Sequence, residues 1–203
     1  MLTDYDIKVE LVTSEELLKA AMAVRRQVFV KELCIPERKE FDGNDFCSAH
    51  VVAYIQKRHR KLPIGTLRIR FFSDFAKIER AAVTRNFRKT SVSEDMMQYG
   101  FNYIAQKGYH KIYAVCKKEL LPRWQRCGYR EIEGANRVEQ NGMTLVPICC
   151  NLPENAQALT IQSSPSLLNA KEGHWYDAPQ KENNPSRIDN VLLKLKRLKQ
   201  EYL

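Results

Sequence analysis

The run Arg88-Lys89-Thr90-Ser91-Val92-Ser93 joins two cations to three hydroxyls immediately ahead of a helical pattern, a combination suited to holding an anion. A helix start leaves N–H groups without intrahelical partners and carries partial positive charge. Arg88 and Lys89 would strengthen that field, and Thr90, Ser91 and Ser93 offer hydroxyl donors. The same residues also read as an N-cap with solvated charges beside it. A second concentration is acidic, Glu40-Phe41-Asp42-Gly43-Asn44-Asp45. Its carboxylates could hold a cationic amine, or fix a loop through turn hydrogen bonds. His50 opens a strand pattern and reads as a structural, hydrogen-bonding histidine ahead of a base. The six cysteines, Cys34, Cys47, Cys116, Cys127, Cys149 and Cys150, form no C-x-x-C pair and no Cys/His zinc spacing, so no metal centre is expected. Cys149-Cys150 lies in a strand pattern without an evident partner base, and no serine-type constellation stands out.

The elements that must position these groups follow from periodicity. Ile7 to Val12 alternates apolar and polar residues, which suits a half-buried strand. Thr13 with Glu16 forms a capping-box pattern, and Leu17, Leu18, Ala21, Val24, Val28 and Phe29 recur at helical spacing to about Leu33. Pro36 and the acidic stretch break the pattern into a loop. His50–Ile55 and Ile64–Phe72 read as antiparallel strands around the basic segment 57–61. Lys77–Val83 is a strand, Ser91 with Glu94 caps a helix that Gly108 stops, and His110–Cys116 is a strand again. These three make a right-handed β-α-β crossover. A short helix over 119–127 and a closing hairpin of Tyr129–Gly134 with Met143–Cys150 complete the expectation: an α/β domain over 1–153, with a mixed central sheet and flanking helices. Residues 154–185 show little periodicity and read as a linker or loose extension. Residues 186–203 read as a basic amphipathic helix that packs on its own domain or on a second copy, giving a homodimer, with docking on a membrane surface or a partner as the alternative.

At 203 residues and 44% hydrophobic, the chain suits one globular domain plus a modest extension. The net charge is +9, and nearly all of it falls within the first 153 residues. A basic domain implies an anionic partner: nucleic acid, a phosphate-rich cofactor, or an acidic carrier protein. Aromatic residues are not interleaved with the basic ones as a base-stacking platform needs, which places nucleic acid last. Charged residues interrupt the first thirty positions and no 18 apolar residues run together, so neither a targeting nor a membrane-spanning segment is expected. Unpaired thiols and no leader point to the cytoplasm.

The order of elements resembles the GNAT superfamily of N-acyltransferases, and so do the motifs. Arg25-Arg26-Gln27-Val28-Phe29-Val30-Lys31-Glu32, Ile35-Pro36, the Asp42 to Asp45 stretch and His50 are similar to the R-x-x-V-F-V-x-E, D-x-x-D and His signature of one branch. The likeness continues through Pro63–Arg70 and Lys77–Val83 and ends at Trp124–Tyr129, covering roughly residues 7–150. It implies transfer of an acyl group from acyl-CoA or acyl-phosphopantetheine to a small-molecule or peptide amine by direct attack. In that scheme a backbone N–H near Ala82 or Val83 holds the oxyanion, and residues 88–93 hold the donor's phosphates. Glu79 is the nearest carboxylate for removing the ammonium proton, placed by alternation on the side of Ala81 and Val83. Its alternative is an ion pair with Arg68 or Arg70. Acceptor recognition falls to Arg25, Phe29, Glu40, Asp42 and Asp45.

Two departures fall on the implied chemistry. The family's donor loop reads Arg/Gln-x-x-Gly-x-Gly/Ala, whereas Ser91 and Ser93 stand at the glycine positions. The usual acid tyrosine corresponds to Trp124, which leaves Tyr129 and Cys127 as nearby substitutes. Relatives that draw acyl groups from acyl carrier protein, such as long-chain N-acyl amino acid synthases, also lack a regular glycine loop. An acidic carrier would complement the basic domain. The acyl-homoserine-lactone branch ranks low, because Lys77 stands where it carries glutamate. A GNAT-like module that binds acyl-CoA without turnover is the remaining reading.

Overall fold

Alternating apolar and polar residues over Ile7–Leu11 build β1, and Ser14 then caps α1 (Glu15–Arg25), its hydroxyl accepting the Leu17 N–H at 3.3 Å. The cap is one residue beyond the Thr13 expected from the capping box. Helical backbone continues to Glu32 as expected, but Arg26–Glu32 is a wide π-helical turn. Apolar spacing does not reveal this geometry, because over seven residues only Val28 is buried, too few positions to separate a wide turn from an ordinary one. The acidic loop holds α2 (Glu37–Glu40) and a 3-10 turn at Asn44–Cys47. Then come β2 (Ala49–Lys57), β3 (Arg60–Phe71) and β4 (Ala76–Val83). They lead through α3 (Val92–Gln106) into β5 (Lys111–Lys117), and α4 (Leu121–Arg126) leads into β6 (Arg130–Glu131), β7 (Val138–Gln140) and β8 (Met143–Asn151). The closing hairpin is thus shorter on the β6 side than expected. The turn at Gly142 adds β7 to β8.

This computed structural model describes residues 6–57, 60–140 and 142–177. The chain divides into two compact units, Met1–Ser163 and Ser164–Leu203. Within the described part of the second, α5 (Pro165–Leu168) is capped by Ser164. The amphipathic helix expected over 186–203 lies outside the described residues.

The sheet runs β1-β2-β3-β4-β5-β8-β6, antiparallel throughout except where β4 lies parallel to β5. It separates two helical layers, the arrangement that lets a sheet bury both faces. On one face α3 approaches so closely that a Cβ at Gly100 would meet Leu67, Ile69 and Ile78 at 3.5–3.8 Å. On the other, Val24 and Val28 pack on Ala82, with Phe29 half-buried beside them.

Between two of their pairings β4 holds one residue more than β3. Thr66 pairs with Ala82 and Arg68 with Glu79, so three steps on β4 answer two on β3. Arg80 takes up the difference in a left-handed conformation, φ 53°. Strict alternation predicts Glu79, Ala81 and Val83 on one face. The bulge replaces that with Glu79 and Ala82 together on the α1 face, while Ala81 is exposed.

Candidate functional site

β4 and β5 are in register only at Ala76 with Ile112 and Lys77 with Tyr113. Beyond this point the two parallel strands part, and the C-terminal half of β4 faces an opening in the sheet. Thr84 N–H donates to Ile64 O of β3 at 2.8 Å. Backbone N–H groups alternate in direction along a strand, so that of Ala82 also turns to β3 and that of Val83 turns to the opening. α3 begins just past the end of β4, and its N-cap Ser91 makes no capping hydrogen bond. Ser91 adopts helical dihedrals rather than the extended ones a capping side chain needs, so its hydroxyl donates to Asp95 at 2.7 Å instead of completing the predicted box with Glu94.

The remaining loop residues are distributed as follows. Arg88 donates through Nε to Val83 O at 3.0 Å and through both terminal nitrogens to Glu32 at 2.5 and 2.6 Å. Lys89 is exposed, Thr90 donates to Phe87 O while its oxygen accepts the Val92 N–H at 3.5 Å, and Val92, the first residue of α3, is buried. Ser93 and Glu94 meet Arg123 of α4. A helix start whose N-cap side chain makes no capping bond, an exposed lysine and hydroxyls fit a phosphate group, while the side chains of Ser91 and Ser93 occupy space that glycines would leave open. Beside this loop a groove of about 840 Å³ runs from Glu94 along α3, with Met97, Phe101, Cys127 and Cys150 in its wall.

The branch signature converges on a buried ionic network across the α1 face. Arg25 is fully buried and donates to Glu40 Oε1 at 2.6 Å, to the Glu40 carbonyl at 2.8 Å, and to Asp45. Arg68, also fully buried, holds Asp42 through two bonds of 2.8 Å, Asp45 at 2.8 Å, and Glu79 at 2.7 and 3.0 Å. Lys77 adds a 2.7 Å contact to Glu79, and Arg80 reaches Glu40 and Asp42 at 3.2 Å each. His50 Nε2 donates to Asp45 O at 3.0 Å, and its Nδ1 is buried without a partner. The hydrogen bonds from Arg68 hold the Asp42 carboxyl well below its ordinary range. Burial works against ionisation of Asp45 and Glu79, but the arginines, with Lys77 at Glu79, outweigh it and lower both. At Glu40 burial wins and raises the carboxyl. Burial also lowers His50, keeping the imidazole neutral. The structure therefore brings Arg25, Asp42, Asp45 and Glu79 together in one network, with Phe29 apart in the neighbouring apolar cluster.

Tyr129 lies on the α3 face. It is buried between Phe101 and Trp124, with the Trp124 ring edge-on at 5.0 Å between centroids. Its hydroxyl has no hydrogen-bond partner, and burial raises it well above the ordinary phenol range. Cys127 is likewise raised by burial. Four participants, Arg68, Glu32, Lys77 and Arg80, escape the sequence reading, and two of them matter most. Arg68, the hub of the network, was weighed only as a partner for Glu79, and Glu32 was the closing letter of a motif with no role attached. Both carry a signal in sequence: a cation amid β-branched neighbours in a strand that must be buried, and a carboxylate fixed in a repeated phrase. Among the described residues no group of three or more His, Cys, Asp or Glu side chains could hold a metal ion, and no helix is long and apolar enough to cross a membrane.

No family model matches the chain. It is 30% identical over 124 residues to the N-acetyltransferase YjcF of Bacillus subtilis, itself uncharacterised, covering 61% of this chain and 86% of that protein. Its fold is similar to that of a Lactobacillus plantarum protein whose crystal structure is described as an N-acetyltransferase, with a TM-score of 0.66 and 25% identity over 72% of this chain and 99% of the other. FeeM, an N-acyl amino acid synthase from uncultured soil microbes, superposes with a TM-score of 0.61 at 8% identity, over 76% of this chain and 96% of FeeM. The motif order from Ile7 to Cys150, the parted parallel strands and these likenesses agree, and the chain belongs to the GNAT superfamily of N-acyltransferases.

Proposed function

We propose that the protein moves an acyl group from a pantetheine thioester to an amine, and that the opening between β4 and β5 is where the thioester lies. The observation that carries this reading is the parting of these strands after Lys77 and Tyr113, beside a helix start whose N-cap side chain makes no capping bond. The acyl carbonyl accepts from the backbone N–H of Val83, the member of the pair Ala82 and Val83 that turns to the opening, and develops negative charge there as the amine attacks. Residues Arg88 to Ser93 hold the donor phosphate through backbone amides, hydroxyls and charge. Tyr129, neutral and unpartnered, is the candidate donor of a proton to the departing thiolate. Glu79 is the candidate base, although its pairing with Arg68 and Lys77 makes it a weak one. Asp42 and Arg80, at the solvent edge of the ionic network, present the surface nearest an acceptor, with Arg25, Asp45 and Phe29 holding that surface from behind. A cytoplasmic setting accords with six unpaired thiols.

A carrier-protein donor is favoured over free CoA by one observation, the side chains of Ser91 and Ser93 crowding a loop that must approach a phosphate. A phosphopantetheine arm presents one phosphate and asks less of that loop than a full nucleotide. The charge of +9 would draw an acidic carrier, and the fold likeness to FeeM accords with an acyl amino acid product.

The test is thiol release from acetyl-CoA, a long-chain acyl-CoA and an acyl carrier protein with a mixed amine pool. Release from at least one donor is expected. Binding of every donor without release identifies a non-catalytic acyl-binding module instead.

A further inference from the structure

Arg88 is the one arginine in the donor loop, yet its guanidinium is already occupied. Its inner nitrogen is tied to the carbonyl of Val83, the last residue of β4, and its two outer nitrogens grip both oxygens of Glu32 in a parallel fork. Glu32 comes from the end of the π-helical turn that follows α1. The fork is the geometry with which a guanidinium takes either a carboxylate or a phosphate, so the two ligands are alternatives on the same two nitrogens. The pair lies at the surface, with 38% of the Arg88 side chain and 32% of the Glu32 side chain exposed, so an incoming anion can reach it. The Nε bond to Val83 fixes the guanidinium at its inner edge. Exchange of Glu32 for a phosphate then needs little more than rotation of Glu32 away.

We propose that Glu32 occupies, on Arg88, the place that the donor phosphate takes, so that donor binding and release of Glu32 are one event. This rests on the reading of residues 88–93 as the donor loop. Glu32 is thus a positioning residue. In the free protein it holds Arg88 against the end of β4 and keeps the loop's charge neutralised. In the loaded protein the phosphate inherits the fork, and the carboxylate swings free at the end of the turn leading to the acceptor side. The wide π geometry places Glu32 at this point, because an ordinary helix of the same length would turn its last residue to another azimuth.

The experiment measures by titration calorimetry the affinity of CoA and of phosphopantetheine-bearing acyl carrier protein for the full chain and for Glu32→Gln, Glu32→Ala, Arg88→Gln and the Glu32→Gln/Arg88→Gln pair. The outcomes given for CoA are read on whichever of the two the unaltered chain binds. Removing the competitor is expected to tighten CoA by about two- to fivefold, the range of a partly exposed ion pair, in both Glu32 variants. Arg88→Gln is expected to weaken it, and Glu32→Gln is expected to have no effect in the Arg88→Gln background. CoA bound equally or more weakly by both Glu32 variants overturns the proposal and leaves the donor reading standing. Absence of CoA binding by the unaltered chain, and of binding by an acyl carrier protein tested in parallel, overturns both.

Discussion

Arg68 and Glu79 stand opposite one another on β3 and β4, with a single carboxylate oxygen receiving the guanidinium at 2.7 and 3.0 Å. Because Arg68 also holds Asp42 and Asp45, one cation compensates three carboxylates. Replacing it with methionine keeps much of the volume and leaves Asp45, Glu79 and Asp42 to Arg25, Lys77 and Arg80 beside them, so that the shared buried cation is lost. We expect Arg68→Met to cost about 3–5 kcal/mol, read as a lower urea midpoint, because breaking a buried pair strands the partner charge.

Glu79→Gln separates two roles. As an acceptor for Arg68 and Lys77 the amide keeps part of the network, so we expect a stability loss of about 1–2 kcal/mol. If Glu79 also takes the amine proton, kcat/KM falls by about a hundredfold while CoA affinity is unchanged. Equal turnover in the variant assigns Glu79 to structure alone.

Tyr129→Phe removes a buried hydroxyl that has no partner. The expected stability is equal to or about 1 kcal/mol above that of the unaltered chain, since the lost group was desolvated without compensation. Turnover is expected to drop by about a hundredfold if the hydroxyl protonates the thiolate. An unchanged rate at raised thermal stability would remove Tyr129 from the chemistry.

Stability is expected to fall with acid in two stages. Burial keeps folded His50 neutral, so the unfolded chain binds a proton the folded one does not as pH drops below about 6.5, and the folded state loses ground. Asp42, Asp45 and Glu79 have depressed folded values, so their contribution is complete above the unfolded carboxylate range near pH 4 and is lost as pH falls below it through the lower folded values. Glu40, raised by burial, acts in the opposite sense and offsets part of the second stage. Urea midpoints from pH 8 to 3 check the order, and His50→Gln should flatten the first stage.

Gly65 of β3 has no room for a side chain. A Cβ there would lie 2.8 Å from Met96 Cε and 3.0 Å from Val92 Cγ1. Met96 can swing its end away, but Val92 sits in the first turn of α3 and cannot. Gly65→Ala is expected to cost about 1 kcal/mol and, by shifting the start of α3, to weaken CoA binding in the same titration.

Much of the fold was legible because it depends on period and punctuation. Alternation marked β1, β-branched and aromatic residues marked β2 and β3, the stripe from Val92 to Ala105 marked α3, and Gly108 marked its end, φ 82°. What escaped was geometry that leaves the period intact or depends on partners far along the chain. The π turn carries too few buried apolar residues, Val28 above all, for its period to be read. The bulge at Arg80 is set by the register of β3, which no local pattern reveals. At the site, the approximate position of the donor loop could be read from Arg88 to Ser93. The attachment of Arg88 to Glu32 could not, because 56 residues separate them. The acidic loop showed its charges but not its partners, since Arg25 and Arg68 reach it from other elements.

The extra residue in β4 also sets a phase. Losing or gaining one position between Glu79 and Ala82 would exchange the inward and outward side chains of everything beyond it, sending Ala82 to the wrong layer and Ala81 inward. Evolution by insertion is therefore closed at this point while substitution remains open, and the spacing from Arg68 to Thr66 against Glu79 to Ala82 becomes a ruler. Chains that keep it can share this interior whatever their surface, and chains that do not must have built a different one.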